Sequence, residues 1–311
     1  MSHVPYEPTI AGTQFPPPYK FPGLKAFGFP LLADLSVLQD LCDDFLAIAP
    51  AGKGISFAPI AIAPNDALVV LQVLDYPALI ATTPPWDAFG GAPQQEAYFA
   101  VPVVRKQGGQ PVEIGLFLPF IFVDNATSAF TGREVFGMPK LLAAFQDVRD
   151  FPQQPIVVRF EGRKAAGDPF QLRRLLKVAQ VLGTIAPPTF GARIGMFFGP
   201  LDALFAASPL FGLIDAAHAS GSFFGFSSRM LIGATAASSD RYRSIMRCSY
   251  ETSNVAAGFL PPTTVAFKPL FEFDLKSALG IRTLGGEALP LNPFFVSCDM
   301  TLAAPVNLWE Q

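Results

Sequence analysis

Lys140 is the side chain with the clearest chemical potential in this sequence. It stands in Thr131 to Phe145, which reads Thr-Gly-Arg-Glu-Val-Phe-Gly-Met-Pro-Lys-Leu-Leu-Ala-Ala-Phe, so that the lysine follows a proline and enters an apolar run. Burial in such surroundings disfavours the charged ammonium. A lysine that is neutral near pH 7 is a nucleophile able to form a Schiff base with a ketone or aldehyde. The plainer reading is a surface lysine whose stem covers apolar neighbours. Schiff-base chemistry also needs a group that moves protons while the carbinolamine breaks down, and an anchor for a substrate carboxylate.

The rest of the composition narrows the field. At 311 residues, half of them hydrophobic and only 15% charged, the chain can bury a sizeable core. The formal net charge of −3 leaves no electrostatic footprint for nucleic acid. Cys42, Cys248 and Cys298 are far apart and odd in number, which fits reduced core thiols in a cytoplasmic protein better than a disulfide framework or a metal site. The only histidines are His3 and His218, so no histidine-rich zinc site is expected, and neither a metal nor a cofactor. The first residues carry no basic stretch leading into an apolar core, so no signal peptide is read there. Met196 to Phe226 is unusually apolar, but Pro200, Asp202, Pro209, Gly212 and Asp215 interrupt it before it reaches the ~18 residues of a membrane span. A subunit interface or an apolar lid is the expectation there, with no membrane partner.

The elements that must position Lys140 read mainly as strands. Many phenylalanines together with many prolines suit short strands and turns. Residues 1–25 are proline-rich and are expected to form an extended arm, with 26–311 as a single domain. Asp34 to Leu46 has apolar residues at helical spacing behind a possible N-cap at Asp34. Strands are expected over 67–75, 96–104 and 112–123, the last two joined by a turn at Gln107-Gly108-Gly109-Gln110, which makes a β-meander. After Lys140, Leu141, Leu142 and Phe145 are expected to face a core. Further strands are read over 151–160, 264–275 and 294–304, with strand or helix-edge character over 241–249 and a short helix with a basic face over 172–182.

Gly132-Arg133-Glu134 followed by Gly137-x-Pro139-Lys140-Leu141 resembles the lysine segment of the acetoacetate decarboxylase family, in which the lysine after the proline forms the imine. Asp124-Asn125 stands at the family's spacing upstream of it, and Pro18 to Phe21 (Pro-Tyr-Lys-Phe) matches an early family segment. The resemblance implies an α+β fold, mostly antiparallel β, with a cone-like β-barrel, few helices and the lysine inside, assembled as a homo-oligomer. It assigns proton transfer to Glu96, which precedes Ala100-Val101-Pro102-Val103 at the spacing of a family glutamate; the alternative is a solvent-facing loop residue after Gln94-Gln95. It sets Arg133, Glu134 and Met138 near the substrate, although adjacent opposite charges in a turn also serve to organise a loop.

The departures from the family pattern matter as much. Leu141 stands where the family has a second lysine, Leu32 where an early-strand arginine is expected, and Gln72 where a further glutamate is expected. Two functions follow. One is a lyase using Lys140 to form an imine with a keto acid or related carbonyl, for β-keto acid decarboxylation or aldol and dehydration chemistry. The other is a non-catalytic protein binding an apolar carbonyl or carboxylate compound, with Leu32, Gln72 and Leu141 as neutral pocket walls.

Overall fold

Strict alternation along the long strands decides the architecture. The structure, a computed structural model, describes residues 15–49, 51–181, 222–231 and 242–310. After strand β1 (Tyr19–Asp34) come helix α1 (Leu35–Phe45), β2 (Ile55–Pro59), β3 (Ala61–Ala63), β4 (Asp66–Ala81), β5 (Ala92–Gln107) and β6 (Gln110–Val123). In β4, Leu68, Val70, Gln72, Leu74 and Tyr76 occupy one face, while Ala67, Val69, Leu71 and Val73 occupy the other. In β5 the same split separates Gln94, Glu96, Tyr98 and Ala100 from Ala97, Phe99, Val101 and Val103. Both faces are buried, so these strands read as nearly unbroken apolar runs.

The chain continues through α2 (Ala126–Phe136), β7 (Lys140–Leu142), β8 (Ala144–Gln146), β9 (Ile156–Gly162) and β10 (Gln171–Gln180). It ends with β11 (Ser222–Leu231), β12 (Tyr242–Phe259), β13 (Thr263–Phe267), α3 (Leu275–Ala278), β14 (Glu287–Ala288), β15 (Phe294–Leu302) and β16 (Val306–Glu310). Hydrogen bonds run β5–β4–β1–β15–β12–β11–β6, and β6 returns to β5, which closes a seven-stranded barrel. All its pairings are antiparallel except β6 with β11. A second sheet, in the order β14-β13-β10-β9-β8, packs Ile156, Val158, Leu176, Val178 and Val265 with the outer residues of β1, β4 and β5. Fully burying a side chain such as Phe29, Phe99 or Phe122 contributes about 1.5–3 kcal/mol.

The α+β, mostly antiparallel expectation holds, and the meander of β4, β5 and β6 turns at Gly108-Gly109, both at positive φ. Helix α1 begins where Asp34 caps it, accepting a hydrogen bond from Ser36 N at 2.9 Å. Of residues 1–25, Tyr19 to Lys25 form the first part of β1, paired to β15 and β4, and 1–14 lie outside the described residues. The apolar stretch 196–226 also lies outside them up to residue 221, and Ser222–Phe226 belong to β11. Among the described residues no helix is long and apolar enough to cross a membrane.

Three expectations are corrected. The helix expected over 172–182 is the strand β10, held by β9 on one side and β13 on the other. A register shift between Arg174 and Leu176 buries Leu175 and Leu176 in succession, which mimics helical spacing in the sequence. The strand expected over 264–275 stops at Phe267, before Pro269, and α3 begins at Leu275. Leu142 is exposed, because β7 is only three residues long and alternation sends Leu141, not Leu142, toward the outer core.

Candidate functional site

The segment 124–142 is a clamp built around one lysine. Asn125 caps α2, accepting from Ser128 N at 3.0 Å, and its Nδ2 donates to Pro93 O. The Asp124 carboxylate accepts from Gln95 N at 2.7 Å. These two neighbours fasten the start of α2 beside Glu96. At the other end Gly137 takes a left-handed conformation, φ 65°, and Met138 N donates back to Gly132 O, ending the helix as glycine C-caps do. Pro139 turns the chain into β7, which pairs parallel to β6 with Lys140 opposite Ile121.

Gly132 is there for space. A Cβ at that position would stand 2.5 Å from Lys140 Cδ and 2.8 Å from Cε, so the lysine stem lies against the helix backbone. The stem carries the ammonium inward, leaving Lys140 only 9% exposed. Its Nζ donates to Glu96 Oε2 at 2.7 Å and to Ser128 Oγ at 3.0 Å. Glu96 is buried too; Oε2 also accepts from Gln94 Nε2 at 2.8 Å, and Oε1 accepts from the Tyr76 hydroxyl at 3.3 Å. Burial, and then the Glu96 charge, hold the Tyr76 and Tyr98 phenols well above the usual tyrosine range, so both remain neutral donors.

Lys140 sits in the wall of a cavity of about 140 Å³. Phe15, Tyr19, Phe21, Trp86 and Phe136 supply its apolar walls, and Ser128 and Thr131, one helical turn apart on α2, supply hydroxyls next to the lysine. Thr131 Oγ1 is buried and has no hydrogen-bond partner among the described residues. Behind Glu96 lies a smaller space of about 20 Å³, bordered by Tyr76, Tyr98 and Tyr250 and separated from the first by Met138, which lines both. Among the described residues no cluster of His, Cys, Asp and Glu could hold a metal ion.

The structure therefore brings Lys140, Glu96 and Met138 together. Gln72 lies one inner position deeper, accepting from the Tyr98 hydroxyl at 2.7 Å, and reaches the site only through that phenol. Leu32 pairs with Leu68, six residues along β4 from the Leu74 that faces Glu96, or roughly 20 Å at 3.3 Å per residue. Arg133, Glu134 and Leu141 line two grooves of about 430 and 590 Å³ on the outer side of α2 and β7, and Lys140 also borders the second. Sequence reasoning missed α2 itself, and with it Ser128 and Thr131. The available signal was Asn125 at one end and Gly137 at the other, the residue types that start and stop helices. Tyr76 and Gln94, which hold Glu96, carried no signal beyond sharing a face with it.

A closed, mostly antiparallel barrel with a lysine–carboxylate pair beside an apolar cavity defines the class: a β-barrel protein organised around a buried amine. The acetoacetate decarboxylase family model matches residues 8–174, and the chain belongs to that family. Among solved structures, acetoacetate decarboxylase from Legionella pneumophila subsp. pneumophila str. Philadelphia 1 aligns with a TM-score of 0.56 at 14% identity, over 94% of this chain and 88% of that one. Another acetoacetate decarboxylase aligns at 0.55 and 15% identity, covering 95% and 91%. An acetoacetate decarboxylase-like enzyme from Sphingomonas wittichii RW1 aligns at 0.54 and 14% identity, covering 99% of both chains. At such identities the likeness is one of fold. No curated protein matches the sequence.

Proposed function

We propose that this protein is a lyase in which Lys140 forms an imine with a keto acid or related carbonyl compound and Glu96 moves the protons. The observation that carries the reading is the 2.7 Å contact between Glu96 Oε2 and the Nζ of Lys140, a lysine that lines a ligand-sized cavity. A proton passing to Glu96 over that distance frees the amine lone pair. Nζ then bonds to the carbonyl carbon while the carbonyl π electrons take up a proton on oxygen, giving a carbinolamine. Glu96 returns a proton to that oxygen as it leaves as water, and the iminium becomes an electron sink for breaking a neighbouring bond. Acetoacetate decarboxylase is itself a known example of a lysine activated by desolvation or a cationic neighbour, so that rationale belongs to the family.

The test is borohydride reduction of the protein with acetoacetate, acetone and pyruvate, followed by peptide mass mapping. A reduced adduct on Lys140, absent from Lys140→Ala, supports the reading. No adduct with any of the three between about pH 5 and 9 overturns it. Saturable binding without an adduct would move the protein to the second reading, a binding protein, which the pairing of Lys140 Nζ with both Glu96 and Ser128 favours.

A further inference from the structure

We infer that the compound Lys140 takes is an uncharged aryl or alkyl ketone or aldehyde, not a keto acid. The inference rests on the imine reading and narrows its substrate. A keto acid brings a carboxylate, and a carboxylate taken out of water costs several kcal/mol unless it finds a cation and further donors. Among the described residues lining the cavity, the only charged side chain is Lys140. That charge is already matched at 2.7 Å by Glu96. An incoming carboxylate would meet a neutral pair whose anionic half repels it. If it displaced Glu96 from the lysine, it would leave that buried carboxylate uncompensated and tie up the nucleophile.

The remaining surface suits a neutral ring or chain. Five aromatic side chains, Phe15, Tyr19, Phe21, Trp86 and Phe136, form most of the apolar wall. A volume of about 140 Å³ is close to that of an apolar protein cavity known to hold benzene, so the space accepts roughly one ring. The polar lining comes from Asn125, Thr127, Ser128 and Thr131; Thr131 Oγ1 is buried with no hydrogen-bond partner among the described residues, and Ser128 Oγ already contacts Nζ. A hydroxyl beside Nζ donates to one carbonyl or carbinolamine oxygen; neutral hydroxyls and an amide do not replace the guanidinium or ammonium that a carboxylate wants. Gly132 and the lysine stem fill the side next to α2, so the substrate body must extend toward the aromatics.

With no carboxylate to lose as carbon dioxide, the iminium serves aldol-type chemistry. In the cleavage direction the β-hydroxyl proton goes to solvent water, the new C=O forms as the Cα–Cβ bond breaks, and its electron pair enters the iminium to give an enamine. Protonation of the enamine carbon and hydrolysis of the imine then return the free lysine.

The experiment compares phenylacetone with phenylpyruvate, which share one skeleton and differ by a methyl group against a carboxylate. Borohydride trapping at Lys140 is titrated with each, Nα-acetyl-lysine serving as the free-amine reference, while Trp86 fluorescence is followed in the same samples with Trp86→Phe as control. Half-saturation with phenylacetone at a concentration at least ten-fold lower is expected, and Leu79→Arg, at the half-buried rim of the cavity, should close that gap. Equal or better trapping with phenylpyruvate overturns the substrate class and leaves the imine intact. Selective Trp86 quenching by phenylacetone with no adduct overturns the imine reading and keeps the neutral pocket. Neither adduct nor selective quenching overturns both.

Discussion

Lys140 and Glu96 meet although their strands are not neighbours: β6 runs between β7 and β5, with Ile121 opposite both Lys140 and Tyr98. The length of the lysine stem makes the contact, and the stem passes close over Gly132 on the way. Both ends of the pair are inside the protein, so each partner depends on the other for compensation. Lys140→Met should cost about 3–5 kcal/mol, because it leaves a buried carboxylate with only the Gln94 and Tyr76 donors. The double variant Lys140→Met with Glu96→Gln should recover most of that loss while remaining inert to borohydride. Urea unfolding of the two single variants and the double one reads the coupling directly; additive losses would mean the pair is not compensated by its own charges.

Gly132→Ala tests the close approach. The added methyl must displace the middle of the Lys140 stem, which is hemmed in by α2, and not a free chain end. Stability should fall by about 1–3 kcal/mol, as for other overpacked sites, and the yield of lysine adduct should drop with it. Gly132→Ser should behave in the same way. Unchanged trapping in both variants would show that the glycine is dispensable for positioning the amine.

Thr131→Val separates stability from chemistry. The hydroxyl is buried with no partner among the described residues, and such a group costs about 1–3 kcal/mol. Replacing it by a methyl of the same shape should therefore raise the melting temperature by a few degrees. If that hydroxyl binds the reacting oxygen, the same variant should trap carbonyl compounds several-fold more slowly. A stabilised variant with undiminished trapping would leave Thr131 as a defect of packing only.

What the sequence shows of this protein depends on the range of the signal. The strand signals along β4 and β5 are local, so the meander was legible, as was the Asp34 cap of α1, whereas Glu96 was pointed to only by the family's spacing. Lys140 was legible through the Gly-x-Pro-Lys segment and its resemblance to the decarboxylase family. Helix α2 was not, because it is held by Asp124 and Asn125 binding the β5 backbone and lacks an apolar stripe of its own. The roles of Arg133 and Leu32 were misjudged: adjacency in the chain placed Arg133 near the lysine and the family pattern placed Leu32 there, whereas helix phase turns Arg133 outward and strand register carries Leu32 along the barrel. Gly132 looked like one member of a charged turn, and only the path of the lysine stem shows what it is for.

The barrel interior should also make the protein sensitive to alkali. Burial pushes the thiols of Cys42, Cys248 and Cys298 up to about 12 from the ordinary 9.0, and burial raises the phenols of Tyr76, Tyr98 and Tyr250 well above 10.0. In each case the folded state keeps a proton that the unfolded chain gives up. The stabilisation is complete below pH 9 and is lost as the pH rises, first from the thiols between about 9 and 12 and then from the phenols above 10. Each thiol contributes a slope of roughly 1.4 kcal/mol per pH unit once the pH is well above its unfolded value. Urea unfolding at pH 7.5, 9 and 10.5 should therefore give a loss of about 1 kcal/mol at the second and of several kcal/mol at the third. Replacing Cys248 by Ala should flatten the slope between pH 9 and 10.5 by about one thiol's share. At pH 8 the same burial should keep all three thiols from Ellman's reagent until the protein is unfolded; rapid labelling of the native protein would show that the barrel opens far more readily than its packing implies.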